Sequence, residues 1–413
     1  MKNAPFHVEG NKHHLLMRSF FFTVLIILAP EILLAQQWAA ASSIGFTPRA
    51  AFTSCVFEGK IYVFGGFNGA NYPDTLEIFD PALNSWSSQP ATGTFTPRKG
   101  PCSANIGGKI YVIGGFDNSG ALTTLEVFDP QTNSWTSPAT TGTFTPRWRA
   151  ASAVMNNLIY VIGGYNTDKG ALSTLEVFDP ATNSWNTPPV TGSLSPRTDL
   201  SAAAFGNKIY IFGGQGDSIL ASPEVFDTQS DSWSTPAVTG KFTERQGLAA
   251  SVIDNKIYLS GGYDGFNYLN TLEVFDPLTN SFSTPATTGI FTPRAGLSAS
   301  VVGNKIYVMG GRDAVGFLNT NEVFTPSESA VTDSSYSPIT IFPNPVGSIL
   351  TISNAPSNLE RVVIVNMLGV TMIDIANYHA SHFTIDLSTL PIGTYGIKFI
   401  TSNSVITKMI VRQ

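Results

Sequence analysis

The stretch KIYVIGGFDNSGALTTLEVFDPQTNSW, residues 109–135, decides the fold. It opens with KIYVI, a β-branched and aromatic run suited to a strand buried on both faces. Gly114-Gly115 ends that strand, and the loop FDNSGAL leads to a second apolar strand, TLEVFD. DPQTN is a run of turn formers, and Trp135 beyond it marks a further short strand. Upstream, the small and weakly apolar segment 100–107 and the tight Gly107-Gly108 turn supply one more strand. Four short antiparallel strands in chain order make one sheet.

The unit recurs along the chain. Gly-Gly pairs stand at Gly65-Gly66, Gly114-Gly115, Gly163-Gly164, Gly213-Gly214, Gly261-Gly262 and Gly310-Gly311, spaced by 49, 49, 50, 48 and 49 residues. A fixed period near 50 with four strands per copy predicts a propeller, because each sheet buries its faces only against its neighbours. The first strand of each copy, made of Ala, Ser, Gly and Val, lines the central channel. Larger rings such as Tyr111, Phe128 and Trp135 fill the wider outer space between blades. Antiparallel pairing puts the loop after Gly-Gly on the same face as the loop between blades, and both tight turns on the other.

The sixth copy has EVFTP at 322–326 but no following NSW. An open outer edge is a liability, and the missing strand is expected at the other end of the chain. Trp86, Trp135, Trp185, Trp233 and Phe282 each stand 12 residues before the Arg of the next copy, and Trp38 stands 11 before Arg49. Residues 37–43 are therefore expected to supply the outer strand of the last blade.

This pattern resembles the kelch repeat over residues 49–324, with Gly-Gly, a following Tyr or Phe, Glu-x-Phe-Asp-Pro and Trp. The resemblance implies a six-bladed β-propeller with four-stranded blades. It does not imply one function, since kelch propellers serve as enzymes, adhesion modules and protein-binding platforms.

What is repeated six times reads as architecture, and what occurs once reads as site. Arg49, Arg98, Arg147, Arg197, Arg245 and Arg294 recur before the first strand, and Glu77, Glu126, Glu176, Glu224, Glu273 and Glu322 recur in the third. A carboxylate in an apolar sheet needs a charged partner or several hydrogen bonds, so Arg–Glu or Glu–backbone networks near the Gly-Gly turns are expected. The alternative is a ring of arginines that binds an anionic or sugar-like ligand at the channel mouth. The residues after each Gly pair differ: Phe67 and Asn68, Phe116 and Asp117, Tyr165 and Asn166, Gln215 and Asp217, Tyr263 and Asp264, Arg312 and Asp313. Tyr72, Lys169, Phe266, Tyr268 and Phe317 lie close to them, while Trp148, Arg149 and Asp199 are peculiar to single copies and Glu244 replaces the usual Pro. Exposed aromatics beside Asn, Asp and Arg suit stacking on sugar rings or gripping a peptide. The plainer reading makes the Asn and Asp turn caps and the aromatics covers for the blade tops.

Net charge is −6 and only 13% of residues are charged, which gives no basic face for nucleic acid. His7, His13, His14, His379 and His382 all lie outside the repeats, which excludes a propeller His as metal ligand or base. No nucleophile-elbow, zincin, phosphate-loop or calcium-loop motif occurs, so neither metal nor cofactor is expected. Some kelch propellers act as sugar mutarotases or epimerases with acid and arginine side chains; no pair in this sequence stands out for that role. Cys55 and Cys102 read either as one bridge or as two buried thiols.

Residues 1–35 read as a secretion signal, with Lys12 and Arg18 before the apolar run 20–35 and cleavage after Ala35; translation from Met17 would give a more ordinary leader. No membrane span is expected after processing. Residues 36–326 form the propeller, SESAVTDSSYS at 327–337 is a linker, and short alternating strands fill 338–413 as a small immunoglobulin-like β-sandwich. This last segment resembles the C-terminal sorting domain of the type IX secretion system. Its marks are Phe342-Pro343-Asn344-Pro345, Asn366-x-x-Gly369, Leu387-x-x-Leu390-x-x-Gly393-x-Tyr395 and a terminal strand with Lys408. The resemblance implies the type IX machinery as partner and a secreted or surface location. The leading functional reading is a binding module for a glycan or protein ligand. A carbohydrate mutarotase or epimerase, and a structural adhesin component without a small-molecule site, are the alternatives.

Overall fold

A computed structural model describes residues 36–326, 339–355, 359–366, 371–376, 381–401 and 405–413. The expected leader 1–35 and the expected linker 327–337 lie outside the described residues. The chain divides into two compact units, Met1–Ser327 and Glu328–Gln413.

In the first unit, the strands Cys102–Ile106, Lys109–Ile113, Leu125–Asp129 and Ser134–Thr136 pair antiparallel in chain order. Register sets Tyr111 opposite Ala104 and Val127, and Trp135 opposite Phe128. Ile110, Tyr111, Val112 and Ile113 are all buried, because apolar side chains of the flanking sheets cover both faces. Four further sheets repeat this order, and the innermost strands of all six neighbour one another in cyclic sequence, the sixth beside the first.

The sixth sheet takes three strands from residues 298–325 and one from Gln36–Ala41, with Trp38 opposite Phe324. That fourth strand also receives a parallel pairing from Thr287–Thr288. In four other sheets a single-residue parallel bridge meets the outer strand in the same way, at Thr92↔Ser134, Thr141↔Ser184, Thr191↔Ser232 and Thr239↔Ser281. Trp38 stacks on Phe291 at 4.2 Å, as Trp86 stacks on Phe46 at 4.4 Å and Trp185 on Phe144 at 4.3 Å. Such pairs add about 0.5–1.5 kcal/mol beyond their area burial.

Two rings of backbone hydrogen bonds run through all six sheets at the Gly-Gly end. In the outer ring the second Gly of each pair donates its N–H to the repeated Arg carbonyl of the next sheet, from Gly66 to Arg98 at 2.8 Å round to Gly311 to Arg49 at 2.8 Å. This explains the pair. A Cβ on Gly65, whose φ is +63°, would lie 2.5 Å from the Arg98 carbonyl oxygen, and one on Gly115, at φ +107°, would lie 2.8 Å from Arg98 Cδ. In the inner ring Gly100 donates to Ala51, Arg149 to Gly100, Asp199 to Arg149, Gly247 to Asp199, Gly296 to Gly247 and Ala51 to Gly296, at 2.6–3.0 Å. All six of these residues have positive φ, including the non-glycines Ala51, Arg149 and Asp199.

Cys55 and Cys102 are buried free thiols on the inner strands of adjacent sheets. Burial pushes the Cys55 thiol up to about 11 and the Cys102 thiol up to about 12. The thiolate is the reactive form, so neither cysteine of the folded protein should react with iodoacetamide at pH 8, and both should react in denaturant. Rapid labelling of the native protein would contradict this burial.

The second unit holds two antiparallel sheets. One contains Thr340–Phe342, Ile349–Ser353 and His382–Asp386; the other contains Thr371–Ala376, Leu359–Asn366, Gly393–Thr401 and Val405–Arg412. Leu350, Ile352 and Ile385 of the first share one apolar core with Val362, Ile364, Ile397, Phe399 and Ile410 of the second. Leu387, Leu390 and Tyr395 are buried in it, and the Tyr395 hydroxyl donates to the Pro391 carbonyl at 2.7 Å.

Candidate functional site

The six repeated arginines are between 0% and 1% exposed, so their role is decided inside the sheets. Arg49 Nη2 lies 2.7 Å from Glu77 Oε1, Nη1 donates to the Gly65 carbonyl at 3.0 Å, and Nε donates to the Thr47 carbonyl at 3.2 Å. The Thr47 hydroxyl and N–H complete the set by donating to Glu77. Arg98–Glu126, Arg147–Glu176, Arg197–Glu224, Arg245–Glu273 and Arg294–Glu322 repeat the pairing. Burial pushes the guanidinium pKa down, and the facing glutamate opposes that shift.

The next position outward is where the copies diverge. The residue after each Arg bridges, as an isolated antiparallel pair, to the residue after Gly-Gly: Ala50 to Phe67, Lys99 to Phe116, Trp148 to Tyr165, Thr198 to Gln215, Gln246 to Tyr263 and Ala295 to Arg312. One backbone arrangement thus presents six different side-chain pairs around the inner ring. Between them lies a cavity of about 490 Å³. Its lining includes Phe67, Lys99, Arg149, Asp199, Gln246, Tyr263, Tyr268, Arg312 and Phe317, and none of the twelve repeated Arg and Glu residues. Beneath it a second space of about 200 Å³ runs between the inner strands, lined by small residues with the hydroxyls of Thr53, Ser103, Ser152, Ser201 and Ser298.

Charge in the upper cavity is uneven. Arg149 Nη1 pairs with Asp199 Oδ2 at 3.0 Å, and the Arg149 guanidinium lies 4.1 Å from the centre of the Trp148 ring. Burial holds the Asp199 carboxyl above its usual range, with Arg149 pulling it back. The Lys99 ammonium stands among four rings, 5.0 Å from Phe116, 5.1 Å from Trp148, 5.5 Å from Phe67 and 5.9 Å from Tyr72. Burial, and then the Arg149 charge, push its pKa down. Across the cavity the Arg312 guanidinium lies 5.9 Å from the Tyr268 ring. Among the described residues neither Lys99 nor Arg312 forms an ion pair.

The sequence-predicted residues divide by what they touch. Phe67, Tyr263 and Arg312 line the cavity, and Phe116 and Trp148 flank Lys99. Tyr165 packs edge-on against Trp148 and is partly exposed. Asn68, Asp117, Asp264 and Asp313 accept backbone N–H groups two or three residues ahead, holding their own loops. Asn166 does the same for Asp168 and Lys169 and is buried. Gln215 donates to the Gly216 carbonyl, and Asp217 and Glu244 are exposed. Lys99 and Gln246 were not singled out from the sequence. Their signal is the position directly after the repeated Arg, occupied by Ala50, Lys99, Trp148, Thr198, Gln246 and Ala295. His379 lies outside the described residues, and His382 Nδ1 meets the Ser353 hydroxyl at 2.6 Å. Among the described residues no His, Cys, Asp and Glu cluster could hold a metal ion.

Residues 32–214 and 149–335 each match the KLHDC2/KLHL20/DRC7 Kelch-repeats domain. The chain belongs to the kelch-repeat family. Residues 340–413 of this kelch-repeat protein match the secretion system C-terminal sorting domain, which directs secretion to the cell surface or the extracellular space. No curated protein matches the chain. Among the described residues no helix is long and apolar enough to cross a membrane. A kelch-repeat scaffold is in general a binding module, and the upper cavity is the place where this one departs from its own repeat.

Proposed function

We propose that this protein is a secreted or surface-displayed binding module that takes a glycan or protein ligand at the Gly-Gly face of a six-bladed propeller. A leader over 1–35, a propeller over 36–326, a linker over 327–337 and an immunoglobulin-like sorting domain over 338–413, engaged by the type IX machinery, make up the chain. The outer strand of the last blade comes from the mature N-terminus. The observation that carries the binding reading is the contrast between two layers of one ring. The buried Arg–Glu layer is the same six times, whereas the layer just outside it differs at every copy and encloses a cavity. Identical supports with unlike side chains above them are what a scaffold carrying one site requires.

The test is a screen of the full chain against arrayed glycans and surface proteins, repeated with Tyr263→Ala/Phe317→Ala. Capture of a ligand by the parent, weakened at least tenfold in the double variant, supports the reading. Capture that is indifferent to both substitutions places the ligand elsewhere and overturns it.

A further inference from the structure

We propose that the upper cavity recognises an anionic sugar, a carboxylated or sulfated pyranose unit, with Lys99 and Arg149 receiving the acid group and the surrounding aromatic faces receiving the ring. This deepens the binding reading above and rests on it. The first support is charge. Three cations, Lys99, Arg149 and Arg312, face a cavity whose lining contains one carboxylate, Asp199. That carboxylate is already engaged by Arg149. Lys99, which is half-buried, and Arg312, which is exposed, are thus left without an ion-pair partner among the described residues. An incoming anion beside Lys99 would offset its repulsion by Arg149, and the partial burial of Lys99 strengthens that attraction relative to open water.

The second support is the state of the Lys99 ammonium. Four aromatic rings stabilise its charge, and cation–π contact needs no hydrogen-bond acceptor. The rings therefore hold the ammonium in place while leaving its N–H donors available to a ligand. Arg149 shares the Trp148 ring with it, so the two cations stand on one indole and can address one acid group together.

The third support separates a compact sugar from an extended acidic peptide. Peptides that dock by strand addition require free main-chain donors and acceptors at an edge. Here the inner-ring N–H groups are spent on one another, and the residues after Gly-Gly exchange backbone hydrogen bonds with those after the repeated Arg. Recognition falls to side chains: the cations, the Gln246 amide, and the faces of Phe67, Tyr263, Tyr268 and Phe317. A space of about 490 Å³ lies within the range of small-ligand sites, about 300–1,000 Å³, and suits a short saccharide.

The experiment is isothermal titration of the full chain with digalacturonate, galactose 6-sulfate, the neutral disaccharide lactose, sodium sulfate and a hexapeptide of aspartate, at low and at physiological salt. Saturable binding of digalacturonate or galactose 6-sulfate is expected, at least tenfold tighter than lactose and weaker at higher salt. The favoured arm assigns the acid group as carboxylate or sulfate. Lys99→Met, which keeps the apolar stem, should weaken binding at least tenfold, and Arg312→Gln by a smaller factor. Lys109→Gln, on the opposite set of turns, should change nothing, and unchanged unfolding midpoints should show that the variants fold. Equal or tighter binding of lactose, of sulfate alone or of the peptide overturns the proposal. So does unaltered affinity in Lys99→Met, or no binding of either anionic sugar. A neutral glycan or a protein captured through Tyr263 and Phe317 would still leave the general binding reading standing.

Discussion

Deleting residues 36–43 is expected to destabilise the repeat region more than any other change confined to one short segment. The deletion removes the outer strand of the sixth sheet, whose Cα pairing runs from Gln37–Thr325 to Ala41–Asn321. It also removes Trp38, which is 3% exposed and contacts Phe291 and Phe324. Truncating a buried Trp alone costs about 3–5 kcal/mol. With an unfolding entropy of about 2.1 cal/mol/K per residue, a domain of about 290 residues shifts its midpoint by about 1.6 °C per kcal/mol, so Trp38→Ala should lower it by roughly 5–8 °C. The full deletion should do more, because it also leaves the Asn321–Thr325 strand as an apolar sheet edge prone to pairing with other chains. Differential scanning calorimetry and light scattering on the parent, Trp38→Ala and the deletion measure both effects. Trp135→Ala, at the matching position of an interior sheet, provides the scale. An unchanged midpoint in the deletion would mean that the last sheet does not depend on the N-terminal strand and would sink the closure by that strand.

The sequence made this position legible for a simple reason. A repeat fixes register, so a Trp at nearly the same distance from an Arg identifies its strand even when the rest of the unit lies some 280 residues away. Apolar periodicity and turn chemistry are local signals, and the four main strands of each sheet of the repeat region are local in sequence apart from that single strand. The cavity was less legible because its contacts join residues from different copies. Lys99 comes from the second copy, while the rings around it include Phe67 from the first and Trp148 from the third. Nothing in the spacing of these residues announces that they meet. The turn-capping of Asn68, Asp117, Asp264 and Asp313 shows the complementary difficulty, since a polar residue in a loop looks the same in sequence whether it faces a ligand or its own backbone. The inner ring was hidden for a third reason. Gly100, Gly247 and Gly296 suit its left-handed conformation, but Ala51, Arg149 and Asp199 adopt it too, held by the hydrogen bonds of their neighbours rather than by their own preference.

Breaking one buried Arg–Glu pair should cost nearly as much as losing Trp38. Glu273→Ala leaves the Arg245 guanidinium, 0% exposed, without its carboxylate and deprives the Thr243 N–H and hydroxyl of their acceptor. Removing one partner of a buried pair costs about 3–5 kcal/mol, because the remaining charge stays desolvated. Removing both charges with Arg245→Met/Glu273→Leu should cost less than the two single changes added together, which is the signature of direct coupling in a double-mutant cycle. It should not restore the parent stability. Arg245 also supplies hydrogen bonds to the Thr243 and Gly261 carbonyls, and those acceptors would be left buried without a donor, each costing about 1–3 kcal/mol. Chemical denaturation of the four proteins measures the cycle. The scaffold role makes a further demand, since equivalent networks should respond alike. Glu126→Ala and Glu176→Ala should fall in the same range as Glu273→Ala, and all three should bind ligand in proportion to their folded fraction. A pair whose loss left stability untouched but abolished binding would belong to the site instead, and the division of this ring into a uniform support and a varied surface would fail at that sheet.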